Sequence, residues 1–468
     1  TDFSEALLEL ITPVFESPET ALDYLKNVHQ FTYRNLGDEL IWAGSMPCAI
    51  NDPATIPIAD FGSSNRGMMK HLYRVGLKNR YGSLMQSIAG IHYNFSLPDE
   101  FWRSLQQQQK NSDSLQSFRS LSYFTLIRNF RRHSWLLLYL FGASPALSDT
   151  FMAGKKHGLD VLHKKTLYLP HATSLRMSDL GYSTNAQSSL SICFNHLNTY
   201  TKSLYEAIHT SHLDYEAIGV KVNGQYRQLA ATILQIENEY YSDIRPKRVP
   251  RGEETSLQAL INGGVEYIEV RNTDINPFLS IGIDAQQALF MDTFLITCLL
   301  MNDDLLSPDE CKFASSNLQQ VTTKGREVGL KLFTTTGEID LKDAGENLIV
   351  DLKMTAELLD DIHNTKKYSH AVSCQVDKLR DSSLTPSARV VESLKDSGLE
   401  YDEWILEKSA QHKKSLQTQE ADTQIQKRLF QIAHNSKSEQ QKIEDSDTVG
   451  FDEYLLKART GDTEKAVK

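Results

Sequence analysis

Apolar positions change their spacing along this chain, and each change predicts a different architecture. Through residues 1–280 short apolar runs alternate with turn signals, which suits an α+β body better than a regular βαβ array. Within residues 112–141, Leu115, Phe118, Leu121, Phe124 and Leu126 recur at mostly three-residue spacings ahead of an unbroken apolar run, Trp135–Phe141, and predict a helix. A second apolar helix is predicted over Asp284–Leu300. From about Gly345 the pattern is helical with polar turns. Beyond Leu399 it turns rich in Lys, Glu, Gln and Ser, with sparse anchors at Trp404, Ile405, Leu429, Phe430 and Ile432. Surface helices, partly frayed towards Lys468, are expected there. The expected organisation is a catalytic body over 1–345 and a largely helical C-terminal part over 346–468.

Three segments carry polar residues at a period of two, which puts them on one face of a strand. In LMQSIAGIHYNFSL, Gln86, His92, Asn94 and Ser96 share a face, with Met85, Ile91, Tyr93 and Phe95 opposite. In TILQIENEYY, Gln235, Glu237, Glu239 and Tyr241 align. In GGVEYIEVR, Glu269 and Arg271 point the same way. Any one of these fits an ordinary solvated face or a surface ion pair. Together they suit a single antiparallel sheet whose polar floor holds a metal and a phosphate side by side. The stretch FGSSNRGMMKHLYRVGLKNRYG adds a basic helix with Arg74 and Lys78 one turn apart. Its basic face suits carboxylate or phosphate groups, or simply water.

Composition narrows the classes. The chain has 468 residues, 40% of them hydrophobic, enough for a sizeable core, and a net charge of −11. That charge argues against broad nucleic-acid binding, which needs a basic surface. The longest strongly apolar stretch, around Trp135–Ala143, falls short of the roughly 20 residues that span a bilayer. Five scattered cysteines with no CxxC pair argue against a zinc ribbon and suit a reducing cytosol, so a cytoplasmic protein is expected. No P-loop, GxGxxG, HExxH or GxSxG motif occurs, so nucleotide chemistry would need a sheet-and-carboxylate site.

The blocks TDFSEALLELITP, SMPCAI, LYRVGLKNRYGSLMQSIAGIHYNFSLP, LFGASPA, ATSLRMSDLGY, LQIENEYYSDIRPKRV and GGVEYIEVRNTDINPF stand in this order through most of residues 1–330. In that order they resemble the proteobacterial type of glutamate–cysteine ligase. The resemblance implies a curved antiparallel catalytic sheet flanked by helices, similar to glutamine synthetase. It implies ATP-dependent joining of the L-glutamate γ-carboxyl to the L-cysteine amine, with Mg²⁺ as the ion and Mn²⁺ as an alternative. It gives Asp2, Glu9, His92 and Glu269 as metal ligands. Arg271 resembles the arginine that meets the ATP phosphates, and Arg74 and Arg176 the arginines near glutamate and the transferred phosphoryl group. Phe3, Tyr73, Tyr182 and Tyr241 resemble the cysteine pocket, and Gln86 and Asn94, from the polar strand face, are expected as further substrate contacts. Asp2 and Glu9, seven apart, fit one face of a helix or a strand. SDLGYSTNAQSS has the composition of a mobile loop that closes Tyr182 over substrate, or of a plain polar loop.

The chemistry agrees with these residue types. A carboxylate is a poor electrophile, and phosphorylation turns it into an acyl phosphate that an amine can attack. ATP and glutamate are both anions, so cations must neutralise charge where it shifts. Arginine does this with a planar fork. His92 is an unusual partner for Mg²⁺, which prefers oxygen. The family's upstream G-x-E-R-E stretch is absent, and the chain opens at Thr1 in a sequence that reads as internal. A missing front segment carrying further metal ligands is therefore expected. Cys48, within SMPCAI, is expected to be a buried structural thiol. A monomer without nucleic-acid or membrane partners is expected. The alternatives are another carboxylate–amine ligase of the same fold, or a non-catalytic remnant that binds amino acid or nucleotide.

Overall fold

The computed structural model describes residues 1–181, 190, 192–252 and 254–460. Tyr182 and the expected loop around it lie outside them, as does the chain end towards Lys468. The architecture is α+β, with small antiparallel sheets set among many helices. The elements used below are α1 (Pro18–Asn35), α2 (Asn65–Tyr81), β1 (Ile91–Phe95), α3 (Leu115–His133), α4 (Trp135–Phe141), β2 (Ile244–Lys247), β3 (Tyr267–Thr273), α5 (Ala285–Leu300), α6 (Leu341–His363), α7 (Lys367–Arg380), α8 (Tyr401–Thr418) and α9 (Thr423–Asp445).

The two predicted apolar helices form as α3–α4 and α5. Asp284 caps α5, its carboxylate accepting from the Gln287 N–H at 2.8 Å. Leu121 is the one member of the α3 pattern that faces outward, at 38% exposure. The polar start of α2 is set by Ser64, whose Oγ accepts from the Gly67 N–H, and its end by Gly82 at φ 81°.

One small sheet positions the site. β3 is central, with β1 and β2 antiparallel on either side. The register sets Asn94 and Arg245 both opposite Glu269. Directly paired residues share a face. His92, Asn94, Tyr267, Glu269, Arg271, Arg245 and Lys247 therefore line one side. Phe95, Ile268, Val270 and Ile244 line the other and enter the main core with α3, α4, α5, α6 and α7. Pro246, which cannot donate a ladder hydrogen bond, sits on the edge strand β2.

Several local expectations change. The strand predicted from Leu84 begins only at Ile91, and Met85–Ser87 forms a 3₁₀ turn, so Gln86 is not on the His92 face. Gly90 separates the two: a side chain there would meet Arg176 Nη1 at 2.6 Å. TILQIENEYY is not a strand; Glu237–Glu239 is a 3₁₀ turn. The cause is Glu239, whose carboxylate turns inward to accept from the Gln235 N–H at 2.6 Å and the Tyr81 hydroxyl at 2.6 Å. Asp2 and Glu9 lie on neither helix nor strand: the Asp2 N–H closes a turn onto the Leu7 carbonyl, and Ser4 bridges to Ile58. Cys48 is exposed, not buried. In the C-terminal part, Tyr401, Trp404 and Ile405 of α8 are buried, whereas α9 buries nothing and Phe430 and Ile432 face solvent at 66% and 52%. Residue 345 lies inside α6, whose Leu348, Ile349 and Leu352 join the main core.

Candidate active site

Glu269 is the centre of the polar sheet face. Arg271, two residues along β3, donates to it at 2.8 Å. Lys247 Nζ and His92 Nδ1 each stand 3.9 Å from its other oxygen. Burial alone would raise the Glu269 pKa, but Lys247, Arg271 and Arg245 outweigh it and hold the carboxyl at about 2. The His92 pKa is lowered as well, which leaves it uncharged instead of charged. Desolvation against the sheet and the Arg271 charge push it to about 3, so the ring is neutral, the form that binds metals. The face thus gathers three cations around one carboxylate, leaving an excess of positive charge for an anion.

A second group lies at the chain start and on α2. Arg74 donates to the Asp2 backbone carbonyl, stands 3.6 Å from the Asp2 carboxylate and stacks on Phe61 at 4.4 Å. The pKa of Glu9 is raised, first by desolvation and then by Asp2, and it also feels Arg74 and Glu269. Phe3 is almost fully buried with Ile56 and Leu77, and Tyr73 and Tyr81 pack against them. Burial holds the Tyr73 phenol well above its usual range. Tyr241 reaches this group: Gln86 Nε2 donates to its hydroxyl at 2.9 Å, and its ring meets Tyr81 edge-on at 6.3 Å. Gln86 therefore serves the aromatic group rather than the sheet face. Asn94 stays on the sheet face, exposed beside Glu269.

Arg176 is buried and bonded to the fold on two sides. Its Nε donates to Asp274 at 2.7 Å, and Nη2 to the carbonyl of Arg271 at 3.2 Å. Asp274 also accepts from the Ala143 N–H and the Ser144 and Ser174 hydroxyls. The four expected metal ligands are not gathered into one cage. His92 and Glu269 are neighbours, but no group of three or more His, Cys, Asp or Glu suited to a metal occurs among the described residues.

Arg245 and Lys247 were not singled out from the sequence. The signal was present in SDIRPKRV, where they stand two apart as Glu269 and Arg271 do. The proline between them obscured the strand.

A sheet face with excess cation, an ionised carboxylate and a neutral imidazole, next to a half-closed aromatic group, suits a reaction between two anionic substrates and a small third one. The model of the family described as "Glutamate-cysteine ligase" matches residues 1–321. The chain belongs to the glutamate–cysteine ligase family. Its relatives include the glutamate–cysteine ligase of Pseudomonas putida strain W619, 46% identical over 455 residues, which span 97% of this chain and 87% of that protein. The Hahella chejuensis enzyme is likewise 46% identical, over 97% of this chain and 87% of its own. Among solved structures, the Francisella tularensis glutamate–cysteine ligase in complex with AMP superposes with a TM-score of 0.91 at 38% identity, covering 98% of this chain and 90% of that one. A bifunctional glutathione synthetase from Pasteurella multocida superposes at 0.68, with 25% identity, over 89% of this chain and 48% of that one. No helix among the described residues is long and apolar enough to cross a membrane.

Proposed function

We infer that this chain is a glutamate–cysteine ligase, which uses ATP to join the γ-carboxyl of L-glutamate to the amine of L-cysteine and so forms γ-glutamylcysteine, the first step of glutathione biosynthesis. The observation that carries the reading is the cation excess on the β1–β3–β2 face, within a chain of this family. A γ-carboxylate oxygen attacks the terminal phosphorus of ATP, and ADP leaves. The cysteine amine then attacks the acyl carbon, the C–O bond to phosphate breaks, and the amine loses a proton. Arg271 neutralises phosphoryl charge as it moves, and Lys247 deepens the same positive field. Glu269, held ionised, orients Arg271. Arg74, between Asp2 and Phe61, faces the glutamate anion. Arg176 acts on the site through the Arg271 backbone.

The amine-bearing substrate is received by Tyr73, Tyr241, Gln86 and the side of Phe3, with Tyr182 as the expected further member. Such a pocket favours a thiol over a hydroxyl by desolvation, worth only about 1–3 kcal/mol. Asn94 contacts substrate from the sheet face. His92, neutral, and Glu269, ionised, have the donor chemistry to hold Mg²⁺ or Mn²⁺, which would add charge neutralisation; Asp2 and Glu9 are proposed to join them. Residues 1–345 form the catalytic body and 346–468 a helical annex, a division of role rather than of core. The chain acts as a cytoplasmic monomer. Glutamate-dependent ADP release stimulated by cysteine tests the assignment; stimulation by alanine but not by cysteine would overturn it.

A further inference from the structure

Arg245 touches both halves of this site. Its position on β2 is opposite Glu269, on the cationic face. Its side chain is 7% exposed, yet it forms no ion pair with that carboxylate at hydrogen-bond distance. Instead Nη2 donates to two carbonyls of the preceding turn, those of Asn238 at 3.0 Å and of Tyr240. The next residue is Tyr241, whose hydroxyl accepts from Gln86. The same turn is anchored from its other side, where the buried Glu239 carboxylate meets Arg80 and Tyr81. Arg245 Nε is buried and has no hydrogen-bond partner among the described residues. A buried arginine with one edge committed to a turn and another uncommitted is costly unless it serves both sides.

We propose that Arg245 is a positioning residue that couples the phosphate-facing sheet to the amine pocket, by clamping the Asn238 and Tyr240 carbonyls so that Tyr241 is presented to the amine-bearing substrate. This deepens the reading of Tyr241 as part of the cysteine pocket and rests on it. Both donations come from Nη2; a lysine supplies the charge, but its ammonium sits one bond nearer the backbone and without the guanidinium plane that fixes Nη2 between the two carbonyls. The clamp therefore acts on binding of the third substrate rather than on phosphoryl transfer.

The test is steady-state ADP release by purified R245K, Y241F and R245K/Y241F, varying cysteine, glutamate and ATP separately. R245K is expected to raise KM for cysteine about tenfold, the scale of one or two lost hydrogen bonds. Its KM values for ATP and glutamate, and its kcat, should stay within about twofold of the parent, because the lysine keeps the charge, and the two changes in the double variant should be less than additive, since both act on the cysteine through Tyr241. An equal rise in KM for ATP, or full additivity in the double variant, would overturn the coupling. A raised cysteine KM in Y241F with none in R245K would remove Arg245 alone. An unchanged cysteine KM in Y241F with a rise in R245K would remove the pocket reading and the route through Tyr241 together. Should R245K fail to fold, Arg245→Gln, which keeps a planar amide donor but not the charge, is read on the cysteine KM alone; failure of both to fold makes Arg245 scaffold and overturns the proposal.

Discussion

Two arginine–carboxylate pairs in this molecule are chemically alike and do opposite things. Arg80 and Glu239 meet at 3.0 Å with both side chains fully buried. The carboxylate is saturated by Arg80, Tyr81 and the Gln235 N–H, and the guanidinium also donates to Gln228 and lies over the Tyr215 ring at 4.0 Å. Arg271 and Glu269 meet at 2.8 Å, but at 23% and 11% side-chain exposure, with Arg245, Lys247 and His92 crowding the same carboxylate. The first pair is closed and balanced; the second is open and carries surplus charge. A sealed, saturated pair holds a fold together, whereas an open one with spare cations is prepared for an anion. Arg176 with Asp274 belongs to the closed kind.

The contrast can be broken most forcefully on the closed side. Glu239→Ala leaves Arg80 buried without its partner and should destabilise the fold by about 3–5 kcal/mol, read as a large fall in melting temperature. A shift of a degree or two would show that the pair is not a structural anchor. On the open side, Arg271→Ala should lower turnover by about 10²–10³-fold, the scale of a lost transition-state donor, with little change in melting temperature. Near-normal turnover would remove it from phosphoryl transfer.

A third carboxylate sharpens the comparison. Asp292 on α5 lies under the other face of β1, where Tyr93 donates to it at 2.7 Å. Burial raises its pKa to about 7, from an ordinary 3.8. The folded state therefore holds a proton that the unfolded chain has released, and this contribution weakens as pH rises from about 4 to 7. Asp292→Asn keeps the acceptor and removes the charge, so it should gain stability relative to the parent over that window, by up to about 4 kcal/mol at pH 8. Melting curves at stepped pH decide it: a difference independent of pH would contradict the raised pKa. The smallest effect is expected at Tyr241→Phe, which removes one hydrogen bond and should raise KM for cysteine by a few-fold, about 1 kcal/mol. An unchanged KM would place the hydroxyl outside substrate recognition.

Much of the body was legible in the amino-acid order. The α3–α4 and α5 helices follow from apolar spacing and caps. The Glu269–Arg271 pair follows from period two on β3. TILQIENEYY was misread because alternation records which residues share a face, not whether neighbouring strands exist to bond it. There the inward polar residues were answering Arg80 and Tyr81, some 160 positions earlier in the chain. Gln86 was placed on the wrong strand face for a related reason: the strand begins only after Gly90, where Arg176 approaches. Arg245 and Lys247 went unnoticed because Pro246 hid an edge strand.

The sequence by itself determined the residue types the chemistry needs and the family blocks that carry them, because period and order are local properties of the chain. The tertiary structure alone decided which arginines are spent on the fold and which remain for an anion. Burial and partner count come from residues far apart in sequence: Asp274 closes Arg176, Glu239 closes Arg80, the Asn238–Tyr240 turn holds Arg245, and Arg271 and Lys247 are left around Glu269.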